Sequence, residues 1–369
     1  MKNTIIMWTM MVLLSLLTAC GGSDSSEDSN FKSDDSTADD STTDDSTATE
    51  GPVLEDTASE VVTTLADING FNIVANIRNP RTDFYGTEVE ITAYVKDHSN
   101  NWVEDGTVIT FVADDFGAIP DQCTTVNGRC KVTWVSSEDR TEGYADIPVN
   151  RSNDRFVTIM GRTIGEDSFI DKNGNSKFDT NEVWMTQSEP FLDSNDDGVY
   201  NPEVDEFDER MDFNGNGIFD EVFEKFRGES CSDAAISAGH CKTKVEIWAT
   251  TRLIASVAGE ATVSLTDCNA TSYTNINVNT STTYCILVVD ENGNTPPVGT
   301  QISATVDILE VEVPPKAAVA ETGDANGYST EIRLKPKLAD GETSGTLIIK
   351  VTSVDDKDTY LYVPVSDPS

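Results

Sequence analysis

Short segments of alternating polarity, separated by turn residues, constrain the fold of this 369-residue chain more than any other feature of its sequence. Four of them lie at residues 87–97, 106–114, 128–137 and 155–164, with β-branched or aromatic residues at every second position. Asn, Gly, Asp and Pro fill the stretches between them. Beyond the N-terminal segment, no stretch carries an apolar stripe with the period of a helix. The pattern predicts an all-β fold, built as a β-sandwich.

A second copy of the pattern occurs near the C-terminus. Residues 285–304 align with residues 92–111 without a gap, and each copy has a strand that ends in Asp, a polar turn and a Gly-Thr pair. An Asn-Gly pair and another alternating segment follow in both copies, which is a strong hairpin signal. The repeat predicts two β-sandwiches in tandem, at residues 57–256 and 257–369.

The repeated segments "TAYVKDHSNNWVEDGTVITF" and "CILVVDENGNTPPVGTQISA" resemble bacterial Ig-like domains of the invasin/intimin type. The second copy departs from the family pattern at "TPPVGT". The resemblance covers about 60–165 with a strand near 244–256, and about 257–367. It implies Ig-like sandwiches that serve at cell surfaces as a rod, a spacer or an adhesive tip, and it names no catalytic residue.

The N-terminal segment "MKNTIIMWTMMVLLSLLTAC" has the features of an export signal, with Lys2 before an apolar run that is short for a membrane span. "LTAC" resembles the bacterial lipobox, which implies a signal peptide at residues 1–19 and lipidation of Cys20. Gly21, rather than Asp, follows the cysteine, and in Gram-negative lipoproteins this implies an outer-membrane protein. We therefore expect a surface-exposed lipoprotein that contacts the membrane through Cys20. An ordinary secretory signal is the alternative.

Residues 20–56 are dominated by Ser, Thr, Asp and Glu, as in "SDDSTADDSTTDDSTATE". Such a segment has too few apolar residues to form a core, and its charges repel one another. It is predicted to be an extended tether between the lipid and the folded part of the chain.

Six cysteines remain, and their even number in an exported chain indicates disulfides. They form three pairs that are close in sequence, which favours one of the fifteen possible connectivities. The absence of a Cys-x-x-Cys motif argues against a zinc or redox site. The predicted pairs are Cys123–Cys130, Cys231–Cys241 and Cys268–Cys285.

Between the segments at 155–164 and 241–253, which are expected to be neighbouring strands, lies an acidic insertion at about 165–240. It contains three loops in which positions 1, 3, 5 and 9 are Asp or Asn, position 8 is aromatic and an acid follows at position 12 or 13. The oxygen-bearing residues are Asp171, Asn173, Asn175, Asp179 and Glu182 in loop 1; Asp193, Asn195, Asp197, Asn201 and Asp205 in loop 2; and Asp212, Asn214, Asn216, Asp220 and Glu224 in loop 3.

This spacing suits calcium, which takes about six to eight oxygen ligands from side chains two residues apart on a curled loop. Position 7 is expected to contribute its backbone carbonyl: Lys177, Val199 or Ile218. The sequence therefore predicts one Ca²⁺ ion in each of the three loops. Magnesium is less suited because it requires strict octahedral geometry, and soft metals would need Cys or His ligands. An acidic loop with chance Asx spacing is the alternative.

The loops resemble the calcium loops of EF-hand, dockerin and thrombospondin type 3 repeats. They depart from the EF-hand because flanking helices are not evident, because loops 2 and 3 close at position 13, and because Ser176 stands where Gly198 and Gly217 allow a sharp turn. We expect the aromatic residues of the insertion to form a small core, and the insertion to unfold by charge repulsion when calcium is removed.

The charge of the chain limits its function. Lys and Arg total 25 against 65 Asp and Glu, a net charge of −40 that argues against nucleic-acid binding. No nucleophile elbow, zinc-protease motif or phosphate-binding loop occurs, so we expect no enzyme; a hydrolase with paired carboxylates is the distant alternative. The sequence favours a structural or adhesive module that binds an unknown protein or glycan. A subunit of an extracellular assembly or self-assembling filament is the alternative.

Overall fold

The computed structural model describes residues 65–113, 116–137, 155–191, 193, 197–203, 205, 211–242, 244–269, 271–315, 318–336 and 344–366. The predicted signal peptide, Cys20 and the tether lie outside the described residues.

The described part of the chain is almost entirely β-structure, which confirms the predicted all-β class. The strands before the insertion are β1 (Ala66–Asp67), β2 (Phe71–Ala75), β3 (Glu88–Val95), β4 (Val108–Ala113), β5 (Gly117–Ala118), β6 (Gln122–Thr124), β7 (Arg129–Ser136) and β8 (Phe156–Glu166). The insertion holds β9 (Ser168–Phe169), β10 (Trp184–Met185), β11 (Phe226–Arg227), helix α1 (Asp233–Ser237) and β12 (Cys241–Lys242), and β13 (Val245–Ile254) follows it. The remaining strands are β14 (Thr262–Thr266), β15 (Ile276–Asn277), β16 (Thr282–Val289), β17 (Gln301–Val306), β18 (Leu309–Val313), β19 (Tyr328–Pro336), β20 (Ser344–Thr352) and β21 (Asp358–Ser366).

The first sandwich consists of two sheets. One has the order β1-β8-β4-β6, with β13 also paired to β8, and the other has the order β2-β3-β7-β5. Strand β7 alternates between buried and exposed residues because one of its faces meets the core and the other meets solvent. The core between the sheets includes Ile91, Ile109, Trp134 and Ile159, all fully buried.

The second sandwich repeats this arrangement. Its sheets have the orders β14-β16-β19-β18 and β15-β21-β20-β17, and its core includes Leu265, Ile286, Ile332 and Ile349. Strands β16, β17 and β19 hold the places that β3, β4 and β7 hold in the first sandwich. The repeat found in the sequence is therefore a repeat of structure.

The insertion replaces a tight turn. In the second sandwich, β20 and β21 are joined by residues 353–357, whereas the corresponding strands β8 and β13 are joined by residues 167–244. Strands β8 and β13 nevertheless pair in antiparallel register from Val245 opposite Gly165 to Ile254 opposite Phe156. The insertion also covers the outer face of β8, where Met160 contacts the fully buried Met211. This contact explains why β8 is buried on both faces instead of alternating.

Hydrogen bonds connect the ends of the two sandwiches. The buried side chain of Asn79 donates to the carbonyls of Pro296 (3.1 Å) and Ala320 (3.3 Å). Arg155 Nε donates to Asn294 Oδ1 at 2.7 Å, and Arg155 Nη1 reaches Asn326 Oδ1 at 3.0 Å. Because one arginine and one asparagine each bridge more than one loop, this joint fixes the two sandwiches against each other.

All three predicted disulfides are present. Cys123–Cys130 joins β6 to β7, Cys231–Cys241 lies within the insertion, and Cys268–Cys285 links the loop after β14 to β16. The prediction from sequence-local pairing is confirmed.

Candidate cation-binding insertion

The insertion has a small core of its own. Phe178 stacks on Phe226 with ring centroids 4.7 Å apart, and Phe169 meets both rings edge-on. Cys231 and Ala235 complete this buried cluster. The expectation of an aromatic core is met here, and the aromatic residue at position 8 of loop 1 is at its centre.

A second aromatic group brings loops 2 and 3 together. Tyr200 and Phe219, the residues at position 8 of these loops, lie with ring centroids 4.4 Å apart. Phe191 meets each of them edge-on at 5.6 Å. The shared aromatic position is therefore a packing position in all three loops.

A buried ion pair within the insertion joins its first residue, Asp167, to Arg227 in β11. Arg227 Nη2 lies 2.8 Å from Asp167 Oδ1, and both side chains are almost completely buried. Burial raises the pKa of Asp167, and the hydrogen bonds and charge of Arg227 act against that rise. Next to it, Glu166 accepts hydrogen bonds from the amide (3.0 Å) and hydroxyl (2.7 Å) of Ser230, while burial raises its pKa.

In loop 1 the chain curls around its first aspartate. Asp171 Oδ1 accepts the N–H of Gly174 at 2.7 Å, and Oδ2 accepts that of Ser176 at 2.7 Å. These backbone hydrogen bonds, with that of Ser176 the largest contribution, lower the pKa of Asp171. Asn173 and Asn175 both direct their side-chain amides to Asp179 Oδ2, at 2.8 and 2.9 Å.

Loop 3 repeats this geometry. Asp212 accepts the N–H groups of Gly215 and Gly217, each at 2.7 Å, and these bonds, Gly217 first, lower its pKa. Asn214 and Asn216 donate to Asp220 Oδ2, the latter at 2.7 Å. Positions 1, 3, 5 and 9 therefore converge in loop 3 as they do in loop 1.

Loop 2 is described in part. Asp193 accepts the N–H groups of Asp197 (3.2 Å) and Gly198 (2.8 Å), as the first aspartates of the other loops do. Arg252, on β13, approaches Asp193 Oδ2 at 3.3 Å. Asn195 lies outside the described residues.

Position 7 has the same backbone contact in every loop. The N–H groups of Lys177, Val199 and Ile218 donate to Oδ1 of the residue at position 5, each at 2.8 Å. All three residues are exposed. Whether their carbonyls bind an ion stays a prediction.

Ser176 adopts the same turn as the glycines at position 6. Its φ is 57°, against 75° for Gly198 and 77° for Gly217. The loop therefore forms without glycine, although a serine in the left-handed region is strained. Ser176 therefore lowers the stability of loop 1 without changing its backbone shape.

In each loop, the carboxylate of another residue accepts the backbone N–H at position 9 and so closes the loop. In loop 1, Glu182 accepts the N–H of Lys172 (position 2) at 2.7 Å and of Asp179 (position 9) at 3.0 Å. The amide of Glu182 in turn donates to the Asp179 carbonyl at 2.9 Å. In loop 2, Asp205 makes the same reciprocal pair with Asn201, at 2.7 and 2.8 Å.

Loop 3 is closed by Glu189. Glu189 accepts the N–H of Phe213 at 2.9 Å and of Asp220 at 3.0 Å, and its own amide donates to the Asp220 carbonyl at 2.9 Å. The sequence spacing assigned this closing role to Glu224, which is exposed instead. Glu189 is fully buried, and burial raises its pKa. The sequence marks Glu189 only as an acid shortly before loop 2, and no spacing rule connects it to a loop that follows so much later.

The loops offer oxygen ligands of a limited kind. Among the described residues, no three carboxylate, imidazole or thiol groups converge closely enough to hold a metal ion by themselves. A calcium ion would therefore need the Asn amide oxygens and position-7 carbonyls in addition to the aspartates. A half-turn of each Asn amide would exchange its nitrogen for its oxygen at the Asp179 or Asp220 carboxylate. The donor set, all oxygen and without Cys or His, fits a hard cation.

The comparisons with known proteins find low similarity only. No protein-family model matches the sequence, and no curated protein does. Similar solved structures include the D0–D1 domains of intimin (11% identity, 80% of this chain, 97% of that chain, TM-score 0.22). Another is the Yersinia pseudotuberculosis adhesin InvE (9% identity, 82% of this chain, 60% of that chain, TM-score 0.23). A third is the Escherichia coli adhesin FdeC (11% identity, 81% of this chain, 63% of that chain, TM-score 0.29). Because these TM-scores are low, the fold is assigned from the strand pairing in this chain alone. Within the described residues, no helix has the length and apolarity needed to cross a membrane.

Proposed function

We propose that the chain is a lipid-anchored, adhesive module of a bacterial cell surface, whose insertion binds calcium at its three Asp/Asn loops. The observation that carries the calcium proposal is the hydrogen-bond framework that the loops share. In each loop the first aspartate accepts the N–H at position 6, and the N–H at position 7 donates to the side chain at position 5. The N–H at position 9 donates to the carboxylate of Glu182, Asp205 or Glu189. Because the three loops share this framework, we propose the same kind of ligand for all three.

The proposed ligands in loops 1 and 3 are the side chains at positions 1, 3, 5 and 9 and the carbonyl at position 7. In loop 2 the corresponding residues are Asp193, Asn195, Asp197, Asn201 and Val199. Calcium would supply positive charge that offsets the carboxylates. The backbone at position 9 is oriented by its hydrogen bond to Glu182, Asp205 or Glu189. We assign these three carboxylates this positioning role, which leaves them able to bind the ion as well.

The anchoring part of the proposal rests on the sequence at Cys20, and the adhesive part on the architecture. An insertion in place of a turn, at the outer face of a sandwich, presents a large surface on a rigid support. The joint at Asn79 and Arg155 makes that support longer than one domain. Long insertions with their own core are uncommon unless they carry function.

The test of the proposed function is adhesion by bacteria that display the full chain. We expect binding to host cells or immobilised glycans that requires calcium and is abolished by D171A/D212A. A matched variant, D105A, removes an exposed Asp of the first sandwich and should leave adhesion unchanged. Cys20→Ser should release the protein from the membrane fraction.

Adhesion that is equal in calcium and in chelator would contradict the calcium proposal. Concentration-dependent filaments without adhesion would favour an assembly subunit instead.

A further inference from the structure

A cleft of about 480 Å³ lies between loop 3 and strands β11 and β12. Its lining includes four basic residues, although the chain as a whole carries a net charge of −40. These residues are Lys225, Arg227, Lys242 and Lys244. Among the residues that the structure describes, only two carboxylates, those of Asp220 and Glu224, line the same cleft. The cleft is therefore a local reversal of the charge of the molecule.

The three lysines of the cleft have no counter-charge in the part of the chain that the structure describes. Lys131 pairs with Glu90 at 2.7 Å, and Lys350 pairs with Asp358 at 3.0 Å. In contrast, no described carboxylate lies within ion-pair distance of Lys225, Lys242 or Lys244. In a chain with such an excess of acids, unpaired cations around one cleft indicate a site for an anion.

Arg227 forms the inner end of the basic group. Its Nε and Nη2 are bound to Asp167, and its guanidinium lies 3.8 Å from the centre of the Phe223 ring. The remaining nitrogen, Nη1, is buried and has no hydrogen-bond partner. A buried guanidinium nitrogen without a partner is uncommon in proteins, and a ligand oxygen is one way to satisfy it.

The rest of the lining limits the chemistry of the anion. Phe213, Val222 and Phe223 supply apolar surface, while the exposed carboxylate of Glu224 supplies an acceptor that the proposed calcium site of loop 3 does not use. A ligand that carried only negative groups would bring like charge to Asp220 and Glu224. A ligand with hydroxyl donors as well as a carboxylate would satisfy both Glu224 and the lysines. The volume falls within the range of about 300–1,000 Å³ that is typical of small-molecule sites.

We propose that this cleft binds a carboxylate-bearing saccharide, with its carboxylate at Lys242 and Lys244 and a hydroxyl at Glu224. The proposal rests on the adhesive function above and specifies its ligand class. Apolar faces of the sugar would lie on the Phe213 and Phe223 rings. Because loop 3 forms part of the lining, its state of order sets the shape of the cleft.

The test is calorimetric titration of the full chain, in detergent and with calcium, with trigalacturonate, neutral maltotriose and triglutamate. We expect binding of trigalacturonate that weakens with salt, and no binding of maltotriose. K242Q/K244Q should weaken binding by at least ~10-fold, because it removes two charge-assisted contacts. K335Q/K357Q, the same change of charge in the second sandwich, should have no effect.

Equal binding of trigalacturonate and maltotriose, or binding that K242Q/K244Q does not weaken, would overturn the proposal. Tighter binding of triglutamate would overturn the saccharide assignment. If calcium raises thermal stability but trigalacturonate does not bind, the cleft proposal fails alone. If trigalacturonate binds equally in chelator and calcium does not raise thermal stability, the cleft is supported and the calcium proposal fails.

Discussion

The sandwiches and the insertion are stabilised by different interactions. The sandwich cores contain many fully buried aliphatic side chains, among them Ile91, Ile286 and Ile349, between paired sheets. The insertion has a short aromatic core, one disulfide and a network in which carboxylates accept backbone N–H groups. Burial of apolar surface is insensitive to ions, whereas a network of closely spaced carboxylates is not. We therefore expect calcium to leave the stability of the sandwiches unchanged and to raise the stability of the insertion.

The largest expected effect comes from the buried ion pair at the start of the insertion. Arg227→Met leaves the fully buried Asp167 without its partner, and we expect a loss of about 3–5 kcal/mol in the stability of the insertion. Hydrogen exchange of residues 167–244 measures it.

Arg78→Met is the matched control for this change. Arg78 pairs with Glu321 at the surface, where the side chains are 48% and 40% exposed, and its loss should cost less than about 1 kcal/mol. Equal effects of the two substitutions would contradict the account of Arg227.

The joint between the sandwiches has its own pH dependence. Burial raises the pKa of Asp290 from 3.8 to about 6, against the hydrogen bonds that it accepts from Val257, Asn294 and Asn292. Because the folded state binds this proton more tightly than the unfolded state does, stability falls as pH rises from about 3.8 to about 6. Above about 6 the ionised carboxylate costs up to about 3 kcal/mol.

Asp290→Asn should remove that dependence. The stability of the variant relative to the natural chain should therefore increase across this pH range, as measured by urea unfolding at several pH values. Parallel curves for the two proteins would show that folding does not raise the pKa of Asp290.

A third comparison separates two acids near loop 3. Glu189→Gln keeps one of the two buried oxygens that accept the N–H groups of Phe213 and Asp220 and replaces the other with an NH2 donor, so we expect a loss of about 1–3 kcal/mol in loop 3. Glu224→Gln, at an exposed position, should stay within about 0.5 kcal/mol. Exchange rates of the amides at 212–220 distinguish them, and a larger effect of Glu224 would return it to the closing position.

The smallest effect concerns the turn of loop 1. Ser176→Gly should stabilise this loop by about 0.5–1 kcal/mol, because glycine adopts a φ of 57° without strain. Gly217→Ala, the reverse change in loop 3, should destabilise. The calcium affinity of loop 1 measures this effect. An unchanged affinity in the Ser176→Gly variant would show that the serine is not strained.

The fold followed from the sequence where the signal was local. Alternating polarity placed β3, β4, β7 and β8, and the Asn127-Gly128 pair formed the expected hairpin turn with φ of 53° and 67°. The three disulfides also followed, because each joins residues that are near in sequence.

The rest depends on contacts between distant residues. Glu189 reaches loop 3 across loop 2, Arg227 reaches Asp167 across the whole set of loops, and Arg155 reaches the second sandwich. No spacing in a single sequence encodes such pairs. The basic cleft was missed for the same reason, since Lys225 is separated in sequence from Lys242 and Lys244 and only the pairing of β11 with β12 brings these segments together.

Hydrogen exchange of the full chain, compared in calcium, in magnesium and in chelator, tests the central claim most directly. The account predicts that the amides of residues 167–244 lose protection in chelator and in magnesium and regain it in calcium, while strands β3, β7, β16 and β19 exchange at the same rates throughout. Identical exchange of the insertion under all three conditions would contradict it.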